Sequence, residues 1–342
     1  MATLRTADFD FRLPPDLIAQ DPAPRRDDSR LMVLERATQS ITHDRFGNLP
    51  AYLNSGDILV ANRSRVIRAR LWARRETGGR VELLLTRSLQ PDHWWALLRP
   101  SRRIRAGEKL GICGSTLRAQ VEASGEAGQW LIRFRGEGDV PSQLHTVGSM
   151  PLPPYITNSS ASDDRYQTVY ADREGSIAAP TAGLHFSIEL LGRLRASGVA
   201  VEFVTLHVGM GTFKPVVVER VRNHRMHPEW GEVTGEAAAS INRARVAGNR
   251  LVAVGTTTTR LLESAVRGGR LEAYSGETDR FIYPGYSFQA VDALITNFHL
   301  PRSSLLMLVS AFADRELVLR AYAVAVEVGY RFYSFGDAML IV

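Results

Sequence analysis

The sequence is poor in cysteine, in lysine and in long apolar runs. Its 342 residues include one cysteine, Cys113, which excludes an intrachain disulfide and any zinc or iron–sulfur site built on several cysteines. Cys113 lies in a strand-like stretch, which predicts a buried and inert thiol. The longest apolar runs, such as residues 305–309, are too short to span a bilayer. The N-terminus has neither an apolar core nor a small-residue cleavage site, so we expect a cytoplasmic protein without membrane attachment.

The positive charge comes almost entirely from arginine, because Lys109 and Lys214 are the only lysines. The formal net charge is +6 and the pI is about 9.7. A basic surface favours a polyanionic partner such as a nucleic acid. An arginine-rich composition is also typical of a GC-rich genome, so charge alone leaves the partner open. The arginines that could form one basic face, or simply a solvated run, are Arg74, Arg75, Arg99, Arg102, Arg103 and Arg105.

Length and pattern predict a mixed α/β (α+β) protein of two domains. A chain of 342 residues with 44% hydrophobic residues can bury two cores. In residues 66–148, short alternating or apolar runs are separated by turn residues, which predicts a small all-β, barrel-like domain. Residues 1–65 and 149–342 instead alternate strand, loop and helix. We therefore expect the barrel-like domain to be inserted in a larger, discontinuous sheet-and-helix catalytic domain.

Four predicted strands end in loops rich in glycine, threonine, histidine or proline, and three of these loops carry a histidine. They are His185, His207 and His299. In mixed sheets, ligands commonly bind beyond the carboxyl ends of strands. A lone histidine at such a place is usually a packed or capping residue, but three in equivalent places favour a site.

Two glycine-containing loops can be compared with known nucleotide motifs. GTTTTR at residues 255–260 joins a strand to a helix, where free N–H groups and Arg260 suit a carboxylate or a single phosphate. The segment lacks the glycines and lysine of a P-loop, and an over-supplied helix cap fits it equally well. GMGTF at residues 209–213 lacks the third glycine of a dinucleotide fingerprint, so a Rossmann cofactor site is not expected.

The best metal candidate is the segment with His224, His227 and Glu229, since two histidines at i and i+3 and a carboxylate could ligate zinc. Pro228 interrupts any helix there, so a polar site without metal or a solvated turn is favoured. Asn62 and Arg65 follow a strand and suit phosphate or carboxylate recognition.

Eight strings of the sequence resemble one enzyme family in order from about residue 8 to residue 341. They are MPLPPYI at residues 150–156, YQTVY at 166–170, APTAGLHF at 179–186, TLHVGMGTF at 205–213, AVGTTTTR at 253–260, FIYPG at 281–285, DALITNFHLP at 292–301 and YRFYSFGDAM at 330–339. Together they resemble the S-adenosylmethionine:tRNA ribosyltransferase-isomerases of queuosine biosynthesis. Two positions depart from the family pattern: Arg63 replaces a small polar residue, and Thr258 replaces a serine.

The resemblance implies that S-adenosylmethionine donates its ribosyl group to 7-aminomethyl-7-deazaguanine at the wobble position of tRNA. Adenine and methionine leave and epoxyqueuosine forms. The implied partners are S-adenosylmethionine as co-substrate and a tRNA with a GUN-type anticodon. The enzyme is expected to be a monomer with no permanently bound cofactor and no metal.

This chemistry needs a base next to the sulfonium and a donor to the departing adenine, and histidines tuned near neutrality suit both tasks. The predicted catalytic residues are His185, His207, His227, Glu229 and His299. The predicted substrate-binding residues are Asn62, Arg65, Arg165, Tyr166, Gln167, Thr181, Gly183, Gly209, Gly211, Thr212, Phe213, Thr256, Thr257, Thr258, Arg260, Tyr283, Asn297 and Asp337. The residues from Thr256 to Arg260 are expected to hold the methionine carboxylate.

Two other classes of protein remain as alternatives. A non-catalytic tRNA-binding module needs only the basic barrel, and it leaves the histidine loops unexplained. A metal-dependent hydrolase would be built on His224, His227 and Glu229.

Overall fold

The structure is a computed structural model that describes residues 4–209 and 216–342. The chain divides into two compact units. The first comprises Met1–Ser64, Pro154–Arg173 and Ala179–Val342, and the second comprises Arg65–Pro153 and Glu174–Ala178. The first contains a large sheet with helices and the second a closed barrel, so the predicted mixed α/β fold class is confirmed.

The strands, in chain order, are β1 (Arg30–Glu35), β2 (Ser40–Arg45), β3 (Ile58–Asn62), β4 (Ser64–Val66), β5 (Arg70–Arg75), β6 (Arg80–Gln90), β7 (His93–Arg99), β8 (Lys109–Ile112), β9 (Arg118–Ser124), β10 (Gln129–Arg135), β11 (Arg173–Ser176), β12 (Ala200–Leu206), β13 (Glu229–Val233), β14 (Leu251–Val254), β15 (Val266–Arg267), β16 (Arg270–Leu271), β17 (Tyr274–Thr278), β18 (Ala293–Asn297) and β19 (Ala338–Ile341). The α-helices are α1 (Val140–Val147), α2 (Ile188–Ala196), α3 (Gly235–Val246), α4 (Thr256–Ala265), α5 (Ser304–Ala313) and α6 (Arg315–Glu327). Short 3₁₀ helices span Thr6–Phe9, Pro15–Leu17, Arg26–Asp28, Phe46–Tyr52, Glu126–Gly128, Asp163–Tyr166, Thr181–His185 and Val221–Asn223.

The large sheet of the first unit has nine strands in the order β17-β13-β12-β3-β14-β18-β19-β1-β2. Its four central strands, β12, β3, β14 and β18, run parallel to one another. Every residue of β3, β14 and β18 is buried, as expected for parallel strands that are covered on both faces. On one face, α2 packs Leu190 and Leu194 against this sheet.

The helix caps follow from local sequence. The Ser187 hydroxyl accepts the Leu190 amide at the start of α2, and Gly198 adopts a φ of +86° just after its end, as the sequence predicts. Helix α4 begins at Thr256, so most of the GTTTTR segment belongs to the helix. The hydroxyls of Thr258 and Thr259 bond back to backbone carbonyls one turn earlier, which accommodates these β-branched residues in the helix.

The second unit is a closed antiparallel barrel with the strand order β10-β7-β6-β5-β8-β9. Alternate residues of β6, Val81, Leu83 and Leu85, are buried in its core. Helix α1 also lies in this unit, in a stretch that the sequence assigned to an all-β domain, and the Asp139 carboxylate caps it by accepting the Ser142 amide.

The predicted domain boundaries, residues 66 and 148, stay a prediction. The second compact unit extends to Pro153 and takes in Glu174–Ala178. The Ile67 amide donates to the Ser176 carbonyl at 2.9 Å, which ties that later segment to the start of the unit. Cys113 is exposed, so its predicted burial was wrong: it follows β8 and leads into a turn at Gly114, whose φ is +77°.

Candidate active site

The candidate site lies at the edge of the large sheet where the central parallel strands end. His207 follows β12, Asn62 ends β3, Gly255 follows β14 and His299 follows β18. Neighbouring strands lie about 4.8 Å apart, so β12 and β18, which are three spacings apart in the sheet, are separated by about 14 Å. Because open α/β sheets commonly bind ligands at this edge, these loops form the candidate active site.

His185 belongs to a chain of hydrogen bonds whose directions are fixed by an acceptor at one end. The Asn297 amide nitrogen lies 3.1 Å from the Tyr333 carbonyl, which can only accept, and 3.1 Å from the His185 Nε2. The Nε2 atom must therefore accept, so the proton sits on Nδ1, which donates to the Ser29 hydroxyl at 2.7 Å. The Asn297 Oδ1 is buried and has no hydrogen-bond partner in the described residues.

Both histidines at this end of the edge are neutral. Burial, followed by the positive charges of Arg331 and Arg26, lowers the pKa of His185 to about 3. Burial alone lowers the pKa of His299 to about 3, and its Nε2 atom lies 2.8 Å from the Thr296 hydroxyl. Neither pKa lies near the neutrality expected from the sequence, because each ring is buried without a carboxylate that would stabilise its charged form.

His207 differs from them. Its ring stacks on Trp230 with centroids 5.2 Å apart, and its Nδ1 atom is buried without a hydrogen-bond partner in residues 4–209 and 216–342. Burial lowers its pKa, while the carboxylate of Glu232 opposes that shift. The His207 ring therefore has a nitrogen that forms no hydrogen bond within the described residues, whereas both ring nitrogens of His185 are bonded.

A buried ion pair stands next to the His207 loop. The Arg260 Nη1 donates to the Glu229 Oε2 at 2.5 Å, and both side chains are about 4% exposed or less. The Glu229 Oε1 accepts the Gly209 amide at 2.8 Å, and the Arg260 Nε donates to the Arg280 carbonyl. The predicted binding of a methionine carboxylate by Arg260 does not fit this geometry, because its guanidinium is buried and already bonded to protein.

At the start of α4, the hydroxyls of Thr258 and Thr259 are bonded to backbone carbonyls of the preceding turn, so the first backbone amides remain as polar groups that the helix leaves free. The Thr258 hydroxyl donates to the Val254 carbonyl, so its proton is used in a bond to the backbone. Gly255 is the N-cap, with a φ of +89° and no side chain to cap the helix. The first amides of α4, such as those of Thr256 and Thr257, have no acceptor within the helix, and free amides at a helix N-terminus suit an anion.

Several other predicted ligands hold the protein together. The Asn62 amide bonds both to the carbonyl and to the amide of Leu206, and so fixes β12. The buried Asp337 carboxylate accepts the backbone amides of Arg30 and Arg331. Both side chains are buried and bonded to backbone groups, so we assign them to the support of the site.

Gly183 is required by packing, because a Cβ atom there would lie 2.3 Å from the Tyr170 hydroxyl. Tyr166 and Gln167 are buried, Thr181 begins the 3₁₀ helix that ends at His185, and Tyr283 contacts Phe281 with ring centroids 5.0 Å apart.

Arg65 lies in the second unit, where it forms a salt bridge of 3.9 Å with Glu174. Arg165 donates to the carbonyls of residues 23 and 24. Gly211, Thr212 and Phe213 lie outside the described residues.

The predicted metal candidate does not assemble. Glu229 is neutralised by Arg260, His224 contacts Phe281 edge to face, and His227 is exposed. Within the described ranges, no group of three histidine, cysteine, aspartate or glutamate residues could hold a metal ion. No helix within those ranges is both long and apolar enough to cross a membrane.

Sequence reasoning missed Arg26, Ser29, Glu263 and Arg280. The Glu263 carboxylate is buried and accepts the amides of three consecutive residues, 289–291, together with the Tyr286 hydroxyl. A carboxylate bonded mainly to distant backbone amides leaves no pattern in the sequence. Arg26 and Ser29 lie in a charged run, RRDDSR at residues 25–30, that is typical of a solvated surface.

The chain is similar to proteins of one enzyme family over nearly its whole length. The family described as queuosine biosynthesis protein matches residues 6–341. The S-adenosylmethionine:tRNA ribosyltransferase-isomerases of Moorella thermoacetica and Carboxydothermus hydrogenoformans are 54% and 51% identical, over 99% of this chain and 100% of theirs. The crystal structure of S-adenosylmethionine tRNA ribosyltransferase from Thermotoga maritima has a TM-score of 0.58 and 41% identity, covering 98% of this chain and 100% of that one.

Fold, edge and matches together define a tRNA-modifying transferase. The chain belongs to the queuosine biosynthesis family of S-adenosylmethionine:tRNA ribosyltransferase-isomerases. The predicted family and enzyme class are confirmed, and the findings do not favour the binding module or the metal-dependent hydrolase.

Proposed function

We propose that this enzyme transfers the ribosyl group of S-adenosylmethionine to 7-aminomethyl-7-deazaguanine at the wobble position of tRNA. The group is isomerised to an epoxy-cyclopentanediol, with release of adenine and methionine. The family match over residues 6–341 carries this proposal. The parallel-strand edge supports it, because that edge gathers polar loops from β12, β3, β14 and β18.

The acid–base step is assigned to His207. It stands at the substrate edge with an open ring nitrogen among the described residues, and half-burial keeps a neutral imidazole as a base at neutral pH. His185 acts through Asn297, whose amide it orients. The amides of Thr256 and Thr257 at the start of α4 suit an anionic group of the substrate.

The tRNA backbone is assigned to the barrel unit. That unit holds 15 arginine and lysine residues against 9 aspartate and glutamate residues, whereas the first unit holds 27 of each. The net charge of +6 of the whole chain therefore resides in the barrel unit. Arg99, Arg102, Arg103 and Arg105 are all exposed there, and such arginines neutralise phosphates.

The finer features of the proposal concern how the enzyme works in the cell. We propose that it acts on tRNAs with a GUN-type anticodon, as a cytoplasmic monomer and without a permanently bound cofactor. S-adenosylmethionine enters as a co-substrate and is consumed at each turnover.

The test uses two forms of S-adenosylmethionine, labelled either in the ribose or in the methyl group, and tRNA that carries the aminomethyl base. Ribose label should enter the tRNA, adenine and methionine should be released, and nucleoside mass analysis should show epoxyqueuosine. Matched tRNA with unmodified guanine is the control and should stay unlabelled. Transfer of the methyl label, or binding of tRNA without any product, would refute the proposal.

A further inference from the structure

A small cleft opens beside His185 at the substrate edge. The residues that line it include Arg26, Arg165, Ser29, Ser334 and His185. The enclosed volume is about 20 Å³. A cavity of that size holds about one water molecule, so it would admit a single oxygen atom of a larger group that lies outside.

The two arginines of this cleft are hydrogen-bonded to backbone carbonyl oxygens rather than to carboxylates. Arg26 donates to the Leu184 carbonyl at 3.2 Å and to the Asp164 carbonyl at 2.8 Å. Arg165 donates to the carbonyls of residues 23 and 24 at 2.6 and 3.0 Å. In the described part of the chain, neither arginine forms an ion pair with a carboxylate. Carbonyl oxygens therefore fix both groups in place without removing either positive charge.

The two charges also act on each other. Burial and then the positive charge of Arg165 lower the pKa of Arg26, while Tyr170 and Asp164 oppose that shift. The Arg165 Nε is buried and has no hydrogen-bond partner in residues 4–209 and 216–342. Like charges held together with an unused donor are stabilised by an anion between them. His185 at the same cleft is neutral and donates to Ser29, so it adds no competing charge.

We propose that this cleft binds an anionic oxygen of a substrate, supplied by a carboxylate or by a phosphate. Fixed guanidinium groups suit planar or tetrahedral oxyanions, to which charged donors make strong hydrogen bonds. Because Arg260 is buried against Glu229, this cleft is our candidate for the place where arginine binds an anionic group of a substrate. The two available sources rest on the proposed function: the methionine carboxylate of S-adenosylmethionine and a backbone phosphate of tRNA.

The experiment uses the full chain, with Arg26→Gln as the test variant and Arg193→Gln as its control, since Arg193 is exposed on α2. KM is measured separately for S-adenosylmethionine and for tRNA at several salt concentrations. The shift in Tm on adding inorganic phosphate is measured for each protein without any turnover. Arg165→Gln provides a second test should the first variant fold poorly.

Loss of a charged donor to an anion should raise one KM by about 10- to 100-fold. A rise for S-adenosylmethionine alone identifies the carboxylate, whereas a rise for tRNA with a weaker salt dependence identifies the phosphate. Phosphate should raise the Tm of the wild type and of Arg193→Gln more than that of Arg26→Gln. If both KM values and the phosphate shift stay within about twofold of the control, the proposal is overturned. If the wild type forms no product, the proposed function fails, while the phosphate shift still decides on the cleft.

Discussion

The sharpest prediction concerns the buried pair of Arg260 and Glu229. The variant Arg260→Met removes a guanidinium that donates to the Glu229 carboxylate and to backbone carbonyls of residues 278 and 280. What remains is a carboxylate at the start of β13 that is 5% exposed and has lost its ion-pair partner. The physical effect expected is a loss of stability first, and a change in substrate affinity only through the Gly209 loop.

The magnitude follows from burial. Breaking a buried ion pair by removing one partner costs about 3–5 kcal/mol, because the other charge stays desolvated. Removing both charges with residues of similar size is often close to neutral. The double variant Arg260→Met with Glu229→Gln should therefore recover most of the free energy of unfolding. The substituted amide would also retain an acceptor for the Gly209 amide, which the wild-type carboxylate holds at 2.8 Å.

A second double variant separates stability from positioning. In Arg260→Met with Glu229→Met, no buried charge remains, but the Gly209 amide loses its acceptor. We expect a free energy of unfolding close to that of the first double variant, together with a higher KM for S-adenosylmethionine. Urea unfolding followed by circular dichroism gives the stabilities, and steady-state kinetics on the folded proteins give kcat and KM. Equal kinetics in the two double variants would mean that the Gly209 contact does not position substrate.

One outcome of the Arg260→Met experiment would contradict a structural role for Arg260. The sequence alone predicts that Arg260→Met acts by loss of a ligand for the methionine carboxylate. On that prediction, the variant keeps its free energy of unfolding and shows a KM for S-adenosylmethionine raised by about tenfold or more. Such a result would restore the carboxylate role and refute the structural role argued from the geometry.

The same structure supports three further predictions. Because folding lowers the pKa of His185 from 6.5 to about 3, the unfolded chain binds the proton first, so stability should be full above about pH 6.5 and fall toward pH 3. His185→Gln should flatten that dependence in urea titrations, and an unchanged slope would count against a buried neutral imidazole. Charge reversal at Arg102, Arg103 and Arg105 should raise KM for tRNA but not for S-adenosylmethionine, and unchanged tRNA kinetics would return these residues to a solvated surface. His207→Phe, which keeps a ring to stack on its neighbour, should preserve Tm and lower the single-turnover rate by roughly 10²–10⁴-fold, whereas a normal rate would remove His207 from catalysis.

The parts of the fold that sequence reasoning predicted correctly depend on local patterns. The N-cap at Ser187 and the helix end near Gly198 follow from the residue types at those positions, and the structure has both at the two ends of α2. The short-strand texture likewise indicated the barrel. Helix α1 was missed because it is eight residues long and stands between barrel strands and a proline-rich segment.

The candidate site was predicted less well, because its chemistry depends on partners far away in sequence. The loops of His207 and His299 follow parallel strands of the large sheet, β12 and β18, whereas the strand before His185, β11, pairs with β4 in a separate two-stranded sheet. The role of each side chain at this edge could not be predicted from the sequence. The hydrogen-bond partner of Arg260, Glu229, is 31 residues away along the chain, and Asn297 is 112 residues from His185. Motif strings identify a family without distinguishing a residue that touches substrate from one that holds its neighbour.

Histidine shows how that distinction is decided by physics. In the absence of nearby carboxylates, burial stabilises a neutral ring, so His185 and His299 become hydrogen-bonding parts of the framework with pKa values of about 3. His207 is only half-buried and stacks on Trp230, and the Glu232 carboxylate opposes the effect of burial on its pKa. The His207 ring is thus only partly withdrawn from solvent, whereas the rings of His185 and His299 are buried. Equivalent places in the sequence thus carry different chemistry, because the depth of each ring below the surface, rather than its motif, fixes its protonation.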